Sequence, residues 1–388
     1  MGTRSNDVRT RLIESAITIF SKKWYSSASI AEICRAAGVS NGIYYHYFEN
    51  KEDIFNIILE LTINKLTQSL KQIKGEDVLS KIRNMVLILY EFANQNKELV
   101  TIFREGQYRF IEYERNIVKI YKKTLETILE RKVTLAMYIY VFGGIRFACL
   151  RSIFKDANIF AEFFSNSIID GIFKVYDINP NLIFNISIQF PNLRYPIDSR
   201  TKLLQAGKSL FGEKGYHEVN VHNIAEKAGF ASGTFYKYFS SKESFFDELI
   251  SSVSKEIRHF ISLNLKTDLN RLEKEIQGIF LFLTFISMDR CCYNIVREAE
   301  FVNPAKVNEY YQSFVTGYKK SGKEGFKENL IDEDPVKFSM AIEFLIGISH
   351  FCGIEYIFDE EILSTPEILI ELSNLLKFGL NSKIKKRK

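Results

Sequence analysis

The chain has 388 residues, of which 46% are hydrophobic, 14% aromatic and 26% charged, and its formal net charge is +5. That length predicts two or three domains, and that apolar share is enough to fill a core in each. The terminal run Lys383-Ile-Lys-Lys-Arg-Lys388 accounts for the whole excess charge, so it reads as a solvated end and bulk charge alone does not argue for a nucleic-acid partner.

The polar start, Met-Gly-Thr-Arg-Ser-Asn-Asp, has no apolar segment of the signal-peptide kind. The longest apolar runs, such as Val133–Ile145 and Ile279–Met288, fall short of the roughly 20 residues that span a bilayer. A soluble, cytoplasmic protein without a membrane partner is expected. The five cysteines, with Cys291-Cys292 adjacent, form no CxxC framework and predict buried, reduced thiols. No metal spacing, Gly-rich phosphate loop or nucleophile elbow is present, so no catalytic residue, metal or cofactor is predicted and an enzyme is not expected.

In chain order nearly every segment has the 3.6-residue period of a helix. Val8–Lys23 places Leu12, Ile13, Ala16, Ile19 and Phe20 on one face. Ser29-Ile-Ala-Glu32 then has capping-box spacing, Gly38 supplies a turn residue, and Ser40 is placed to cap the next helix. A long helix is predicted from about Asn50 to Lys74. Four or five more fill 76–177, with breaks near Gly75, Asn94–Asn96, Gly106, Arg131 and Asp156. The stretch Asp177–Pro196 contains Pro180, Pro191 and Pro196, which exclude a continuous helix. Later helices have cap-then-proline starts at Asn303-Pro304, Asp334-Pro335 and Thr365-Pro366-Glu367.

Arg9–Phe55 aligns without a gap to Arg200–Phe246 at an offset of 191 residues, with 16 of 47 positions identical. The identities gather where a helix-turn-helix needs them: Ala37-Gly38, Gly42, Tyr45, Tyr47-Phe48 and Lys51-Glu52 recur as Ala228-Gly229, Gly233, Tyr236, Tyr238-Phe239 and Lys242-Glu243. Beyond these segments Gly143…Phe147…Phe154 echoes Gly347…Phe351…Phe358, and Arg104-Glu105 echoes Arg297-Glu298. One plan is used twice.

The segments Ala37–Glu52 and Ala228–Glu243 each resemble the DNA-binding head of the TetR family of transcriptional regulators. The resemblance implies an all-α protein with a three-helix head and a larger helical effector and dimerisation domain in each half. It places a first head at 1–52, a first helical domain at 53–178, a linker at 179–197, a second head at 198–243 and a second helical domain with the basic tail at 244–388. Gly42 and Gly233 let the backbone approach a phosphate, while Tyr45, Tyr236, Lys51 and Lys242 are phosphate ligands. Ser40, Asn41, Ile43 and His46 in the first head, and Ser232, Thr234 and Lys237 in the second, are candidates for base edges. Ser29 and Asn220 cap a helix and, in the family, also touch DNA. Tyr47, Phe48, Tyr238 and Phe239 are assigned to the core.

The pattern departs from the family at Trp24, where a glycine is usual and where the second half has Gly215, so a reshaped turn is expected. Ala231 replaces a capping serine, at a cost of about 1 kcal/mol unless Ser232 takes over as the cap. The resemblance further implies a ligand-responsive repressor acting on a double-stranded DNA operator. With two heads in one polypeptide it points to an intramolecular pseudo-dimer, in which helices near Tyr138–Phe154 and Asn158–Tyr176 pack on those near Val336–Phe358 and Pro366–Leu380. A homodimer with four heads is the rival arrangement, and an effector-independent architectural protein the rival function. The aromatic content suggests a small apolar ligand, whose charged group would meet Arg104, Arg146, Arg151, Arg297 or His350; interhelical ion pairs are the alternative use of those side chains.

Overall fold

The computed structural model describes residues 2–151, 154–190, 198–320, 334–358 and 366–381. Pro191, Pro196, Thr365 and the basic tail lie outside the described residues. The protein is all-α: among the described residues every regular element is helical.

The first head comprises α1 (Gly2–Phe20), α2 (Ile30–Ala37) and α3 (Asn41–Tyr44). Leu12, Ala16 and Phe20 are buried, as the period of α1 predicts. Next come α4 (Lys51–Leu70), α5 (Val78–Gln95), α6 (Lys97–Arg109) and α7 (Ile111–Leu129). A continuous helical stretch then combines α8 (Leu135–Tyr138), a wide π turn (Ile139–Gly143) and α9 (Gly144–Arg151), and α10 (Ala157–Asp170) follows. The predicted break at Gly106 is corrected, because that residue lies inside α6. A β-carbon built there would stand 2.5 Å from the Leu59 side chain, so the glycine serves close approach of α6 to α4.

Among its described residues the proline-rich stretch contains one short helix, α11 (Pro180–Phe184), with Asn179 as its cap. It is fastened to the second half: Asn179 N–H donates to Glu273, and the Gln277 side-chain amide donates to the Ile183 carbonyl. The second half contains α12 (Ser199–Lys214), α13 (Val221–Lys227), α14 (Ser232–Tyr236), α15 (Lys242–Asn264), α16 (Arg271–Met288) and α17 (Arg290–Val302). It ends with α18 (Pro304–Lys320), α19 (Pro335–Phe358), α20 (Pro366–Phe378) and a 3₁₀ turn. Pro304, Pro335 and Pro366 each open a helix, where a missing N–H costs nothing.

Two compact units can be distinguished, one of Met1–Thr134 with Ala148–Ser165, the other of Leu135–Phe147 with Asn166–Lys388. In the second unit, α19 corrects the expectation about apolar runs. Over Pro335–Ile357 it is long and apolar enough to cross a membrane, yet 89% of its apolar window is buried within the protein. Part of its cover is Leu135–Phe147. A β-carbon on Gly143 would stand 3.2 Å from that of Phe351, and one on Gly347 would stand 2.7 Å from that of Phe147 and 2.8 Å from the Gly143 carbonyl oxygen. A second pair of contacts has the same reciprocity. Gly171 (φ 76°) abuts the backbone of Lys377 and Phe378, while Gly379 (φ 60°) abuts that of Ile169 and Asp170. The N–H groups of Ile172 and Phe173 donate to the Leu376 carbonyl at 2.7 and 3.0 Å.

Candidate nucleic-acid interface

Each head is built around aromatic residues that recur at the same offset. Phe20 meets Phe55 edge-on at 5.1 Å, and Phe211 meets Phe246 at the same distance. Tyr44 and Phe235, both fully buried, anchor the short third helix, and the Tyr44 hydroxyl donates to the Asn50 carbonyl at 2.8 Å. Phe48 and Phe239 are buried beneath Arg9 and Arg200, whose guanidinium carbons each lie 5.6 Å from the ring centre. The core assignment of Tyr47 and Tyr238 is corrected: Tyr47 is half-buried and Tyr238 exposed. The inward aromatic lies three or four residues before the terminal Phe, as helical periodicity requires, and not beside it.

The turn into the third helix follows the sequence closely. Gly38 and Gly229 adopt φ of 67° and 79°, and Val39 and Phe230 donate back to Cys34 and Ala225. Ser29 makes the predicted capping box with Glu32, and Asn220 makes one with Asn223. Lys23 also hydrogen-bonds Glu32; with the Ser29 donors, this holds the carboxyl down to about 2. Ser40 makes no side-chain capping bond, contrary to expectation, and neither does Ala231; both short helices therefore begin without a side-chain cap. Ser232, the proposed substitute cap, has its hydroxyl 3.4 Å from His222 Nδ1 instead.

Of the predicted outward residues, Ser40, Asn41, Gly42, Ile43, Tyr45 and His46 are exposed, as are Gly233, Tyr236 and Lys237; Ser232 and Thr234 are half-buried. Tyr45 and Tyr236 are matched at 59% and 58% exposure. Gly42 and Gly233 have open space where a side chain would be, the nearest atom being Ser40 Oγ at 3.9 Å from the first and none within 4 Å of the second.

The assignment of Lys51 and Lys242 as phosphate ligands meets a different geometry. The Lys51 ammonium donates to the carbonyls of Tyr25 and Ala28 at 2.6 and 2.8 Å, and Lys242 to those of Tyr216 and Val219 at 2.9 and 2.8 Å. Each ammonium also lies over a tyrosine ring, at 4.4 Å for Tyr25 and 4.0 Å for Tyr216. Desolvation lowers the pKa of both lysines. These side chains clamp the turn that delivers Ser29 and Asn220 to their capping positions. Sequence reasoning missed the clamp, although Tyr25 and Tyr216 recur at the same offset as the lysines and were available as the signal.

The turn before that clamp is reshaped at Trp24. α12 ends at Lys214, ahead of Gly215 at φ 84°, whereas α1 ends three positions earlier in the repeat, at Phe20. Trp24 avoids the left-handed region, and its carbonyl accepts from Ser27 and Ala28 in a compensating turn.

The second head is tied to its own helical domain. Lys208 of α12 donates to Glu256 of α15 and Asp289 at 2.7 and 2.6 Å, so an ammonium occupies the space among Glu256, Asp289 and Cys292 that the side-chain types would otherwise suit to a metal. Gly212 lies so close to Cys291 that α12 and α17 touch through backbone, and the Asn294 amide donates to the Gly212 carbonyl. Of the five cysteines, all free, Cys34, Cys149, Cys292 and Cys352 are buried.

A cavity of about 600 Å³ lies among α15–α19. Of the five predicted ligand residues, His350 lines it and the other four do not. Arg146 stacks on Phe351 at 4.5 Å and donates to the Tyr138 hydroxyl, so it serves the crossing with α19. Arg104 is half-buried on α6, Arg151 ends α9, and Arg297 is half-buried on α17. The cationic residues that do line the cavity, Arg258, Lys266, Arg271 and Lys274, were not singled out from sequence. His350 Nδ1 lies 3.3 Å from the hydroxyls of both Tyr293 and Tyr311. Tyr293 donates to the His350 carbonyl and Tyr311 to Glu300.

The family described as "Bacterial regulatory proteins, tetR family" matches this chain twice, at residues 12–58 and 203–249. The uncharacterized HTH-type transcriptional regulator YdgC of Bacillus subtilis is 37% identical over 94 residues, which are 22% of this chain and 48% of that protein. The HTH-type transcriptional repressor KstR2 of Rhodococcus jostii is 27% identical over 109 residues, 28% of this chain and 53% of its own length. The chain thus spans about half the length of the curated relatives it matches. Among solved structures, the fatty acid degradation regulator FadR of Bacillus halodurans aligns with 48% of this chain and 98% of its own, at 19% identity and a TM-score of 0.42.

Proposed function

We propose that this chain, which twice matches the head of the family described as "Bacterial regulatory proteins, tetR family", is a ligand-responsive repressor of that family whose two halves act as a covalent pseudo-dimer. The observation that carries the pseudo-dimer is the exchange of partners at the crossing of the halves. Gly143 meets Phe351 while Gly347 meets Phe147, and Gly171 meets residues 377–378 while Gly379 meets 169–170. Contacts in which i touches j and j's counterpart touches i's are the mark of a two-fold interface. Here both sides belong to one polypeptide.

DNA recognition rests on the outward faces of α3 and α14. Gly42 and Gly233 lack any internal reason to be glycine, which fits a surface that another backbone must approach closely. Tyr45 and Tyr236 are phosphate donors in this reading, and the base-reading set is Asn41, Ile43 and His46 in one head against Ser232, Thr234 and Lys237 in the other. Unlike side chains predict unlike half-sites, one DNA turn or roughly 34–36 Å apart. Lys51 and Lys242 position the heads and do not grip phosphate.

Effector response is assigned to the cavity among α15–α19. His350 on its wall lies 5.5 Å, ring to ring, from Phe147 at the crossing, so an occupant shares a wall with the interface between halves. Repression follows the description of KstR2 and the linkage between ligand and DNA affinity. Selection from random duplexes with the purified protein tests the reading: the expected product is a bipartite site with two different halves. A perfectly palindromic selected site overturns it.

A further inference from the structure

Among the described residues, the helical glycines with a defined surrounding fall into two groups. Gly106, Gly143, Gly144, Gly207, Gly212, Gly347 and Gly353 each have a neighbouring atom that a β-carbon would strike, so their bareness serves internal packing. Gly42 and Gly233 face the proposed DNA surface. Two more, Gly278 in the middle of α16 and Gly317 near the end of α18, have nothing within 4 Å of a β-carbon position, and both line the cavity. A glycine inside a helix lowers its stability relative to alanine, and here no protein atom needs the space. Gly278 is half-buried and Gly317 exposed, so the bare backbone leaves this part of the cavity wall open to an occupant.

The charge on the cavity wall indicates the occupant's sign. Arg271 is paired with Glu275, which also accepts from the Tyr318 hydroxyl, and Lys266 donates to the Leu182 carbonyl. That leaves Arg258 and Lys274. Arg258 spends one N–H, from Nε, on the Ser254 carbonyl, and among the described residues no carboxylate pairs with it or with Lys274. Counting Lys266, whose partner is a carbonyl, three half-buried cations without a carboxylate partner among the described residues line a cavity whose remaining wall includes Ile279, Phe282, Phe314 and Ile346.

We infer that the cavity takes an amphipathic anion, its negative group met by Arg258 and Lys274 and its slender apolar body lying across Gly278 and Gly317. This rests on reading the cavity as the effector site. A volume of about 600 Å³ holds a ligand of ordinary metabolite size. The proposal fixes the sign and shape of the ligand; a carboxylate and a phosphate are two sources of the same chemistry.

The test uses the full chain without DNA and four ten-carbon probes below their micelle concentrations: decanoate, decyl phosphate, decanol and decylammonium. Calorimetric titration is expected to show binding of one or both anions at least tenfold tighter than of decanol, and none of decylammonium. Preference for decanoate or for decyl phosphate identifies the source. Arg258→Gln with Lys274→Gln should weaken anion binding at least tenfold and leave decanol unaffected. Gly278→Ala and Gly317→Ala should each raise the melting temperature of the unliganded protein while weakening the anion. Equal affinity for decanol and decanoate, failure of both anions to bind, or alanine variants that bind the anion undiminished, each overturns the inference. Operator binding by the same variants without probe is measured alongside; if it persists while the anions fail, this inference falls and the DNA reading stands.

Discussion

Lys51→Met separates a clamp from a phosphate ligand. The wild-type ammonium makes two short bonds to the carbonyls of Tyr25 and Ala28. Hydrogen bonds to a charged group contribute about 1.5–3 kcal/mol each. Desolvation, which lowers the lysine pKa, and the apolar packing of the new methionine offset part of the loss, leaving about 2–3 kcal/mol of destabilisation. Trp24 adjoins the clamp and is the sole tryptophan, so its fluorescence in a urea titration reports the first head. The midpoint should fall with Lys51→Met and stay fixed with Lys242→Met. Operator affinity should fall with either variant while the slope of log K against log salt is unchanged, because no phosphate contact is lost. A phosphate ligand contributes about 0.9 to that slope. Unchanged stability with a slope reduced by about one would refute the clamp.

Three further outcomes follow from the geometry. Ser40→Ala, Asn41→Ser, Ile43→Thr and His46→Lys together give the first head the reading residues of the second, and selection from random DNA should then yield a palindrome; an unaltered site contradicts the assignment. Gly347→Ala forces a methyl against Phe147 and the Gly143 carbonyl and should destabilise the second compact unit by about 1–3 kcal/mol, measured by hydrogen exchange in α19, whereas unchanged protection contradicts the close crossing. Glu32 has its folded pKa held down to about 2 against an ordinary 4.5, so its stabilising contribution is complete above pH 4.5 and is lost as pH falls toward 2. Glu32→Gln should flatten the acid limb of first-head unfolding in that window, and an identical limb in the variant would contradict the capping box.

The sequence was most legible where local chemistry dictates structure. The capping box at Ser29, the left-handed glycines at 38 and 229 and the three proline starts need only near neighbours, and each is present in the fold. Legibility fell where meaning depends on a distant partner. Gly106 reads as a breaker until Leu59 of another helix is placed against it. Lys51 reads as a surface cation until the turn at Tyr25 folds back over it. Tyr47 reads as core beside Phe48, although a helix turns one of two neighbours away. Arg146 reads as a ligand contact until Phe351, some 200 residues on, is placed beneath it. The faint echo of Gly143 and Phe147 in Gly347 and Phe351 did carry information, since those are the residues that exchange partners across the halves.

The central claim is that one polypeptide supplies both reading heads to one operator. Native mass spectrometry of the protein on its selected duplex measures this directly. The account predicts a single 45.1 kDa chain per duplex at saturation, with two protected patches about one helical turn apart in a hydroxyl-radical footprint of the same complex. Two chains per duplex, or one protected patch, would contradict it.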